Sequence, residues 1–354
     1  MPSRAEPALR PGGDIRRIVL FAPNWLGDAV MGLPALQTLR AAYPHAHLAV
    51  AARPSVAAVY AMTPGVAEVI ALESRAGLSA VKPWRRDAAR LAAGHFDLAV
   101  LQPNSFLAAW IAAQAKIPAR WGFATDLRGR WLTRAFSRPA AGVHQADYYL
   151  ALTTAAGLTP EPRVARIVPP DTAVAAAAGL VPSPPFVVLA PGAAYGRAKQ
   201  WPPARYAELA HLLWRTRSIA SVVIGAGADR QAGQELRAAL LALPGGGDTA
   251  AALVDLIGRT DLPTLAAVLA RAHAVIANDS GAMHLAGAVG APVVAVFGPT
   301  NEHQTAPLSA SVDGPPARLA IHQVWCRPCM LRECPLGHVC MLGVSAADVA
   351  ALVP

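Results

Sequence analysis

Lysine is scarce in this chain of 354 residues. It occurs only at Lys82, Lys116 and Lys199, so 28 of the 31 basic residues are arginine. Charged residues make up only 15% of the sequence and aromatic residues 6%, whereas hydrophobic types reach 54%. This composition excludes an intrinsically disordered protein and supplies enough apolar side chains for a large core. Because a single core usually stops growing at roughly 250–300 residues, the length favours two domains.

Long hydrophobic runs are missing as well. The longest uncharged stretch, around 281–298, is interrupted by His284, several glycines and Pro292, so it would make a poor membrane-spanning helix. Residues 1–14 carry charges without the apolar core of a secretory signal peptide, and we expect them to form a disordered tail. Cysteine is absent before Cys326, which excludes a secreted disulfide framework and favours a cytoplasmic protein.

Three common catalytic motifs are also absent. No G-x-G-x-x-G fingerprint follows the first predicted strand, and the sequence has neither a Walker loop nor an H-E-x-x-H motif. These absences argue against a nicotinamide oxidoreductase, a P-loop enzyme and a zinc peptidase.

Strands and helices are predicted to alternate along the chain. Ile15–Ala22 is a nearly continuous apolar run typical of a buried strand, Ala29–Ala42 has helical periodicity, and His47–Ala51 is a second strand. This order is typical of a parallel sheet with helical crossovers. The same pattern restarts at Phe186 after a segment rich in proline.

The restart predicts an α/β protein with two Rossmann-like domains that face each other across a cleft. We expect a tail over 1–14, an N-terminal domain over 15–170, a linker over 171–185, a C-terminal domain over 186–325, and a cysteine-containing segment with a helix over 326–354.

The segment Asn278-Asp279-Ser280-Gly281 follows a predicted apolar strand and precedes a predicted helix that contains His284. Asp279 or Ser280 could cap that helix, which would then be an ordinary part of a βα unit. Alternatively, the backbone N–H groups and the dipole of the helix bind an anion, and Gly281 lets a phosphate approach the backbone.

Two further loops follow predicted strands. The loop from Pro191 to Pro202 contains Gly192 and Lys199; it is either a solvated surface loop or a site in which an ammonium meets a diphosphate. The other loop carries Asp28 at a helix entrance, where a carboxylate either complements the helix dipole or acts as a general base.

Together these loops resemble the ADP-heptose lipopolysaccharide heptosyltransferases, glycosyltransferase family 9. The resemblance runs from about Ile15 to the C-terminus. Its motifs are Gly27-Asp28-x-Val30-Met31-x-x-Pro34, Pro191-Gly192 with Ala198-Lys199-x-Trp201-Pro202, and Asn278-Asp279-Ser280-Gly281-x-x-His284. Other phrases, such as Asn24-Trp25-Leu26-Gly27-Asp28 and Pro103-Asn104-Ser105-Phe106, are more similar to members that add the second heptose than to those that add the first.

The resemblance implies a GT-B fold and an inverting transfer of heptose from ADP-L-glycero-D-manno-heptose to the heptosylated inner core of lipopolysaccharide. Asp28 matches the catalytic base. The expected donor-binding residues are Gly192, Lys199, Asp229, Asn278, Asp279, Ser280, Gly281 and His284. Relatives can have glutamate where Asp229 stands. For the acceptor we expect contacts from Asn24, Trp25, Asn104 and Arg128.

The expected partners are the ADP-heptose donor, an anionic lipid A–core glycolipid and the cytoplasmic face of the inner membrane. We expect no cofactor and no metal, because protein groups can stabilise the charge of the leaving diphosphate. The alternatives are addition of the first heptose, another family 9 transferase with a different acceptor, and, remotely, a basic nucleic-acid-binding protein. The arginines are scattered rather than clustered with aromatic residues, so we expect no nucleic-acid partner.

The four cysteines lie within fifteen residues, with His338 among them. Their spacing permits a metal site, free thiols or disulfides, and the sequence does not decide between these three. The cysteines are Cys326, Cys329, Cys334 and Cys340.

Overall fold

The computed structural model describes residues 15–73, 81–183 and 185–354. The chain divides into two compact units, Met1–Arg163 and Val164–Pro354. The tail predicted over 1–14 lies outside the described residues.

The first unit contains one sheet of six parallel strands in the order β3-β2-β1-β4-β5-β6. The strands are β1 (Arg17–Phe21), β2 (His47–Ala52), β3 (Glu68–Ala71), β4 (Leu98–Leu101), β5 (Ala119–Phe123) and β6 (Arg134–Phe136). The helices are α1 (Leu26–Met31), α2 (Leu33–Ala42), α3 (Pro54–Ala61), α4 (Val81–Ala93), α5 (Phe106–Gln114) and α6 (Gln145–Ala155).

The second unit also contains six parallel strands, in the order β12-β11-β10-β7-β8-β9. The strands are β7 (Phe186–Ala190), β8 (Ala220–Val223), β9 (Val254–Asp255), β10 (Ala274–Asn278), β11 (Val293–Phe297) and β12 (Arg318–Ile321). The helices are α7 (Asp171–Ala178), α8 (Pro203–Arg217), α9 (Arg230–Leu241), α10 (Gly246–Ala252), α11 (Leu262–Ala270), α12 (Gly281–Ala288), α13 (Glu302–Thr305), α14 (Val339–Leu342) and α15 (Ala346–Ala351).

The central strands β1, β4, β7 and β10 consist of valine, isoleucine, leucine, phenylalanine and alanine, apart from Arg17 at the start of β1 and Asn278 at the end of β10. Every residue of β7, β10 and β11 is buried, as is typical of parallel strands that are covered by helices on both faces. The α/β class predicted from the alternating pattern is confirmed, and both sheets are parallel throughout.

The helix predicted over Ala29–Ala42 consists of two helices. The break falls at Gly32, which ends α1 and precedes α2. Pro34 lies in the first turn of α2, where its missing N–H costs no intrahelical hydrogen bond. The Gln102 side chain donates to the Gly32 carbonyl at 2.8 Å and thereby ties the break to the end of β4.

The boundary between the units differs from the predicted one. The chain divides between Arg163 and Val164, whereas the sequence predicts that the first domain ends at 170. The predicted linker over 171–185 contains helix α7, which packs on α11 of the second unit. The prolines around this helix therefore bound a short helix of the second unit.

Within the described ranges, no helix has both the length and the hydrophobicity that a membrane span requires.

Candidate functional site

The two sheets share one topology, with the strand order reversing beside the first strand of each unit. The reversal lies between β1 and β4 in the first unit and between β7 and β10 in the second. Ligands of open parallel sheets bind outside the carboxyl ends of the strands at such a reversal. Each predicted loop therefore begins where the topology of its own unit favours a binding site.

Asp28 lies in the first turn of α1, immediately after β1. The helix has no side-chain cap at Trp25, while Ala29, Val30 and Met31 are buried and hold it against the unit. The Asp28 carboxylate is half-buried, and its Oδ1 accepts a hydrogen bond from the Tyr149 hydroxyl at 3.2 Å. An anchored, accessible carboxylate of this kind can act as a general base.

Asn24 and Trp25 precede Asp28 and both are exposed. Trp25 is 63% exposed, although tryptophan is usually buried for the most part. Trp25 is the N-cap residue of α1, so an exposed aromatic side chain lies at the start of the helix that carries Asp28.

Asn104 lies after β4, at the other side of the reversal in the first unit. Its side-chain amide donates to the Tyr148 hydroxyl at 2.7 Å, and its backbone carbonyl accepts from Thr125 at 3.0 Å. The loop after β4 is therefore held by two other segments of the unit.

Arg128 is not available for the direct acceptor contact expected from the sequence. The residue is fully buried, its Nε donates to the Phe123 carbonyl at 2.8 Å, and Nη1 donates to the Pro103 carbonyl. Nη2 lies 3.4 Å from the Asn104 side-chain oxygen. Burial lowers the pKa of Arg128 to about 10, so the guanidinium stays charged at neutral pH. Because the residue is fully buried and its guanidinium contacts Pro103 and Asn104, Arg128 positions the loop after β4.

Lys199 ends a short 3-10 turn over Arg197–Lys199 in the loop after β7. Its Nζ forms an ion pair with Asp279 Oδ2 at 2.7 Å, and only 12% of the lysine side chain and 5% of the aspartate side chain are exposed. The same Nζ lies 4.6 Å from the centroid of the Tyr195 ring, within the range of a cation–π contact. Tyr195 belongs to the phrase Ala194-Tyr195-Gly196-x-Ala198-Lys199 that contributes to the family resemblance, but no role was predicted for it because its side chain carries no charge.

Helix α12 begins without a side-chain cap. Ser280 occupies the N-cap position, but its hydroxyl makes no hydrogen bond to the helix, contrary to the capping expectation. The Ser280 Oγ is buried and has no hydrogen-bond partner within the described part of the chain. The first backbone N–H groups of the helix, including that of Gly281, therefore receive no side-chain acceptor, which favours the anion-binding alternative. His284 lies one turn into the helix and is almost fully buried.

The observed contacts of Asn278 differ from the predicted contact with the nucleotide-sugar donor. Its side-chain oxygen accepts from the Trp201 backbone N–H at 3.0 Å and from the Tyr206 hydroxyl at 3.1 Å. Its amide donates to the carbonyls of Pro191 at 2.9 Å and Gly192 at 3.3 Å. The residue is fully buried. Because all its polar atoms bond within the protein, Asn278 joins the loops after β7 and β10 instead of contacting a ligand.

Gly192 and Asp229 lie against each other. A Cβ at Gly192 would stand 2.5 Å from the Asp229 carboxyl group, so only glycine permits this approach. Asp229 is also fixed by the Ala226 N–H, which donates to Oδ2 at 2.8 Å. Asp229 borders a cavity of about 410 Å³ whose other lining residues are Pro191, Arg197, Gln200, Pro202, Pro203, Ala228, Gln231, Ala232, Glu235, His338 and Leu342.

The segment over 326–332 spans the carboxyl edge of the second sheet. The Met330 N–H donates to the Pro299 carbonyl, after β11, at 2.9 Å. The Arg332 carbonyl accepts from the Ala198 N–H, after β7, at 3.0 Å. Because β10 lies between β7 and β11, this segment holds the loops on either side of Asp279.

The four cysteines carry free thiols. Burial raises the pKa of the Cys340 thiol, so it stays protonated. Across the described ranges, no three histidine, cysteine or acidic side chains stand together as a metal would require.

Comparison with known proteins shows which family and which relatives the chain is similar to. A family model described as Glycosyltransferase family 9 (heptosyltransferase) matches residues 84–340. Lipopolysaccharide heptosyltransferase 2 of Salmonella typhimurium is 32% identical over 308 residues, which cover 83% of this chain and 86% of that protein. Lipopolysaccharide heptosyltransferase 1 of Pseudomonas aeruginosa is 28% identical and covers 90% of this chain and 87% of its own length.

The solved structures agree with the sequence comparisons. ADP-heptose LPS heptosyltransferase II of Escherichia coli matches with a TM-score of 0.78 and 27% identity, covering 95% of this chain and 97% of that one. This match confirms the GT-B class predicted from the motifs.

Proposed function

Because the chain belongs to glycosyltransferase family 9, we propose that it transfers heptose from ADP-L-glycero-D-manno-heptose to the heptosylated inner core of lipopolysaccharide. The chain is a glycosyltransferase, and its relatives include heptosyltransferases of both types. One observation supports this function most directly. The strand reversal of one unit carries an anchored carboxylate, and that of the other carries a lysine beside an uncapped helix start.

The proposed chemistry is a single displacement at the anomeric carbon of the donor. The acceptor hydroxyl oxygen forms the new bond to this carbon, its proton passes to Asp28, and the bond to the diphosphate oxygen breaks. The transition state resembles an oxocarbenium ion. Negative charge grows on the departing ADP, where Lys199 and the N–H groups that begin α12 would stabilise it.

Asp279 contributes to this step through Lys199. The 2.7 Å ion pair fixes the ammonium in one orientation, so little reorganisation is needed when the diphosphate gains charge. The other donor contacts that we propose are Gly192, Asp229, Ser280, Gly281 and His284. Asn24, Trp25 and Asn104 would contact the acceptor.

The acceptor decides which heptose the enzyme adds. We expect release of ADP from ADP-heptose to be fastest with a lipid A–core acceptor that carries one heptose. The same assay is run with acceptors that carry no heptose and two heptoses. Faster turnover of the acceptor without heptose would identify addition of the first heptose, and no turnover of any would indicate another family 9 activity.

We also propose that the first unit contacts the cytoplasmic face of the inner membrane. Leu127 is 92% exposed at the tip of a turn, and the neighbouring Arg130 is exposed as well. A leucine at a membrane interface buries apolar surface, and an arginine attracts anionic headgroups.

Leu127→Asn is expected to weaken sedimentation with anionic phospholipid vesicles by about tenfold, because partial burial of leucine contributes about 1.4 kcal/mol. The backbone φ of Leu127 is +55°, a conformation that asparagine adopts readily, so the fold is preserved. The matched control is Val312→Asn, at a residue that is 72% exposed in the second unit. Equal losses for both variants would contradict a contact through Leu127.

A further inference from the structure

Helix α6 carries two adjacent tyrosines whose hydroxyls reach both sides of the strand reversal in the first unit. Tyr149 donates to Asp28 after β1, at 3.2 Å, and Tyr148 accepts from Asn104 after β4, at 2.7 Å. The two rings pack edge to face, 5.8 Å apart. One helix therefore orients a residue from each of the two loops.

The Tyr149 phenol is buried within the first unit. The residue is 5% exposed, and the Gln145 side chain forms a hydrogen bond with the same hydroxyl. Burial, reinforced by the negative charge of Asp28, raises the pKa of Tyr149 well above its ordinary value. The phenol therefore keeps its proton throughout the working pH range and remains a hydrogen-bond donor to the carboxylate.

The other groups packed around α1 are mostly neutral or engaged elsewhere. Helix α3 contributes Tyr60, whose pKa is also raised by burial and by Asp28 and whose hydroxyl is 3.4 Å from the Ala29 carbonyl. Helix α2 contributes Arg40, which donates to the Tyr43 and Ala46 carbonyls. The remaining titratable groups of α6 and its start are Tyr148, Asp147, which pairs with Arg163, and His144, which caps the helix.

We propose that Tyr149 is the positioning residue of the catalytic base: its hydroxyl fixes the Asp28 carboxylate for proton transfer and keeps it ionised. This inference rests on the proposed function, in which Asp28 takes the proton of the acceptor hydroxyl. A hydrogen bond donated to a carboxylate stabilises its charged form. Without it, Asp28 holds its proton to higher pH and cannot accept another.

The test is Tyr149→Phe, which removes one oxygen and keeps the ring. We expect kcat to fall about tenfold while the KM for ADP-heptose is unchanged. The acidic limb of the kcat/KM profile should move to higher pH by about one unit, because the base is then protonated over a wider range.

Tyr43→Phe is the matched control. Tyr43 is also 5% exposed, and its buried hydroxyl has no hydrogen-bond partner in the described ranges. Its loss should leave kcat and the pH profile unchanged. A Tyr149→Phe protein with wild-type kcat and an unmoved acidic limb would overturn the inference, and so would a lower kcat with an unmoved limb, since that pattern indicates loss of packing alone.

A second readout needs no turnover. Carboxyl ¹³C NMR of labelled aspartate, assigned with Asp28→Asn, should show Asp28 titrating at higher pH in Tyr149→Phe than in the wild-type protein. An unchanged titration would overturn the inference even in an active enzyme. If the wild-type protein transferred no heptose but Asp28 still titrated at higher pH in Tyr149→Phe than in the wild type, the proposed function would be contradicted. The role of Tyr149 in orienting Asp28 would stand.

Discussion

Asp28→Asn is expected to lower kcat for heptose transfer by about 10³-fold, with little change in the affinity for ADP. The magnitude is that of removing a general base from its reacting proton. Asparagine has the shape of aspartate, and its amide oxygen can still accept from Tyr149, so the position of α1 is preserved. Steady-state kinetics and calorimetric titration with ADP measure the two quantities separately.

Asp147→Asn is the control for this prediction. Asp147 lies in the same unit, and its ion pair with Arg163 is exposed, so its removal changes the free energy of unfolding little. Its activity should match the wild type. Wild-type turnover by Asp28→Asn would exclude Asp28 as the base.

Lys199→Met is expected to raise the dissociation constant for ADP about 100-fold and to lower kcat. It removes the cation that the diphosphate would meet. It also leaves Asp279 buried without its partner, which should lower the melting temperature. The two effects have different causes and can be separated.

The double variant Lys199→Met/Asp279→Asn separates them. Neutralising Asp279 removes the unpaired buried charge, so the melting temperature should recover while the affinity for ADP stays weak. Lys82→Met, at an exposed lysine of the first unit, should change neither quantity. Recovery of ADP affinity in the double variant would mean that Lys199 acts only on the fold.

The positions of the loops were predictable because a parallel sheet constrains them. Buried strands read as short apolar runs, and in βα units the residues after them lie at one edge of the sheet. Strand β7 begins at Phe186, where the pattern was predicted to restart, and β10 ends at Asn278, which was predicted to be the first residue after the strand. The motifs therefore fell at the correct ends of the correct strands.

The bonds of individual polar side chains were not predictable. Asn278 ends β10 and Arg128 follows β5, and a ligand contact was expected at both, but their side chains donate to the backbone carbonyls of Pro191 and Pro103 in distant segments. A sequence records which residue follows a strand and not where its side chain points. Tyr149 was missed for the same reason, because it is 121 positions from Asp28.

Many arginines have a structural task that composition could not reveal. Their guanidinium groups donate to backbone carbonyl oxygens, among them those of Ala71, Phe123 and Asp255 at the ends of β3, β5 and β9. A guanidinium with five donors in a rigid fork suits this task. The arginines concerned are Arg17, Arg40, Arg90, Arg120, Arg128, Arg134, Arg217, Arg237, Arg259, Arg318 and Arg327.

We propose a single displacement in which Asp28 activates the acceptor while Lys199 and the start of α12 receive the leaving diphosphate. The anomeric configuration of the new glycosidic bond tests it most directly and is measured by NMR of the product formed from ADP-heptose and the acceptor with one heptose. A single displacement gives the product the configuration opposite to that of the donor. A product that retains the donor configuration would contradict it.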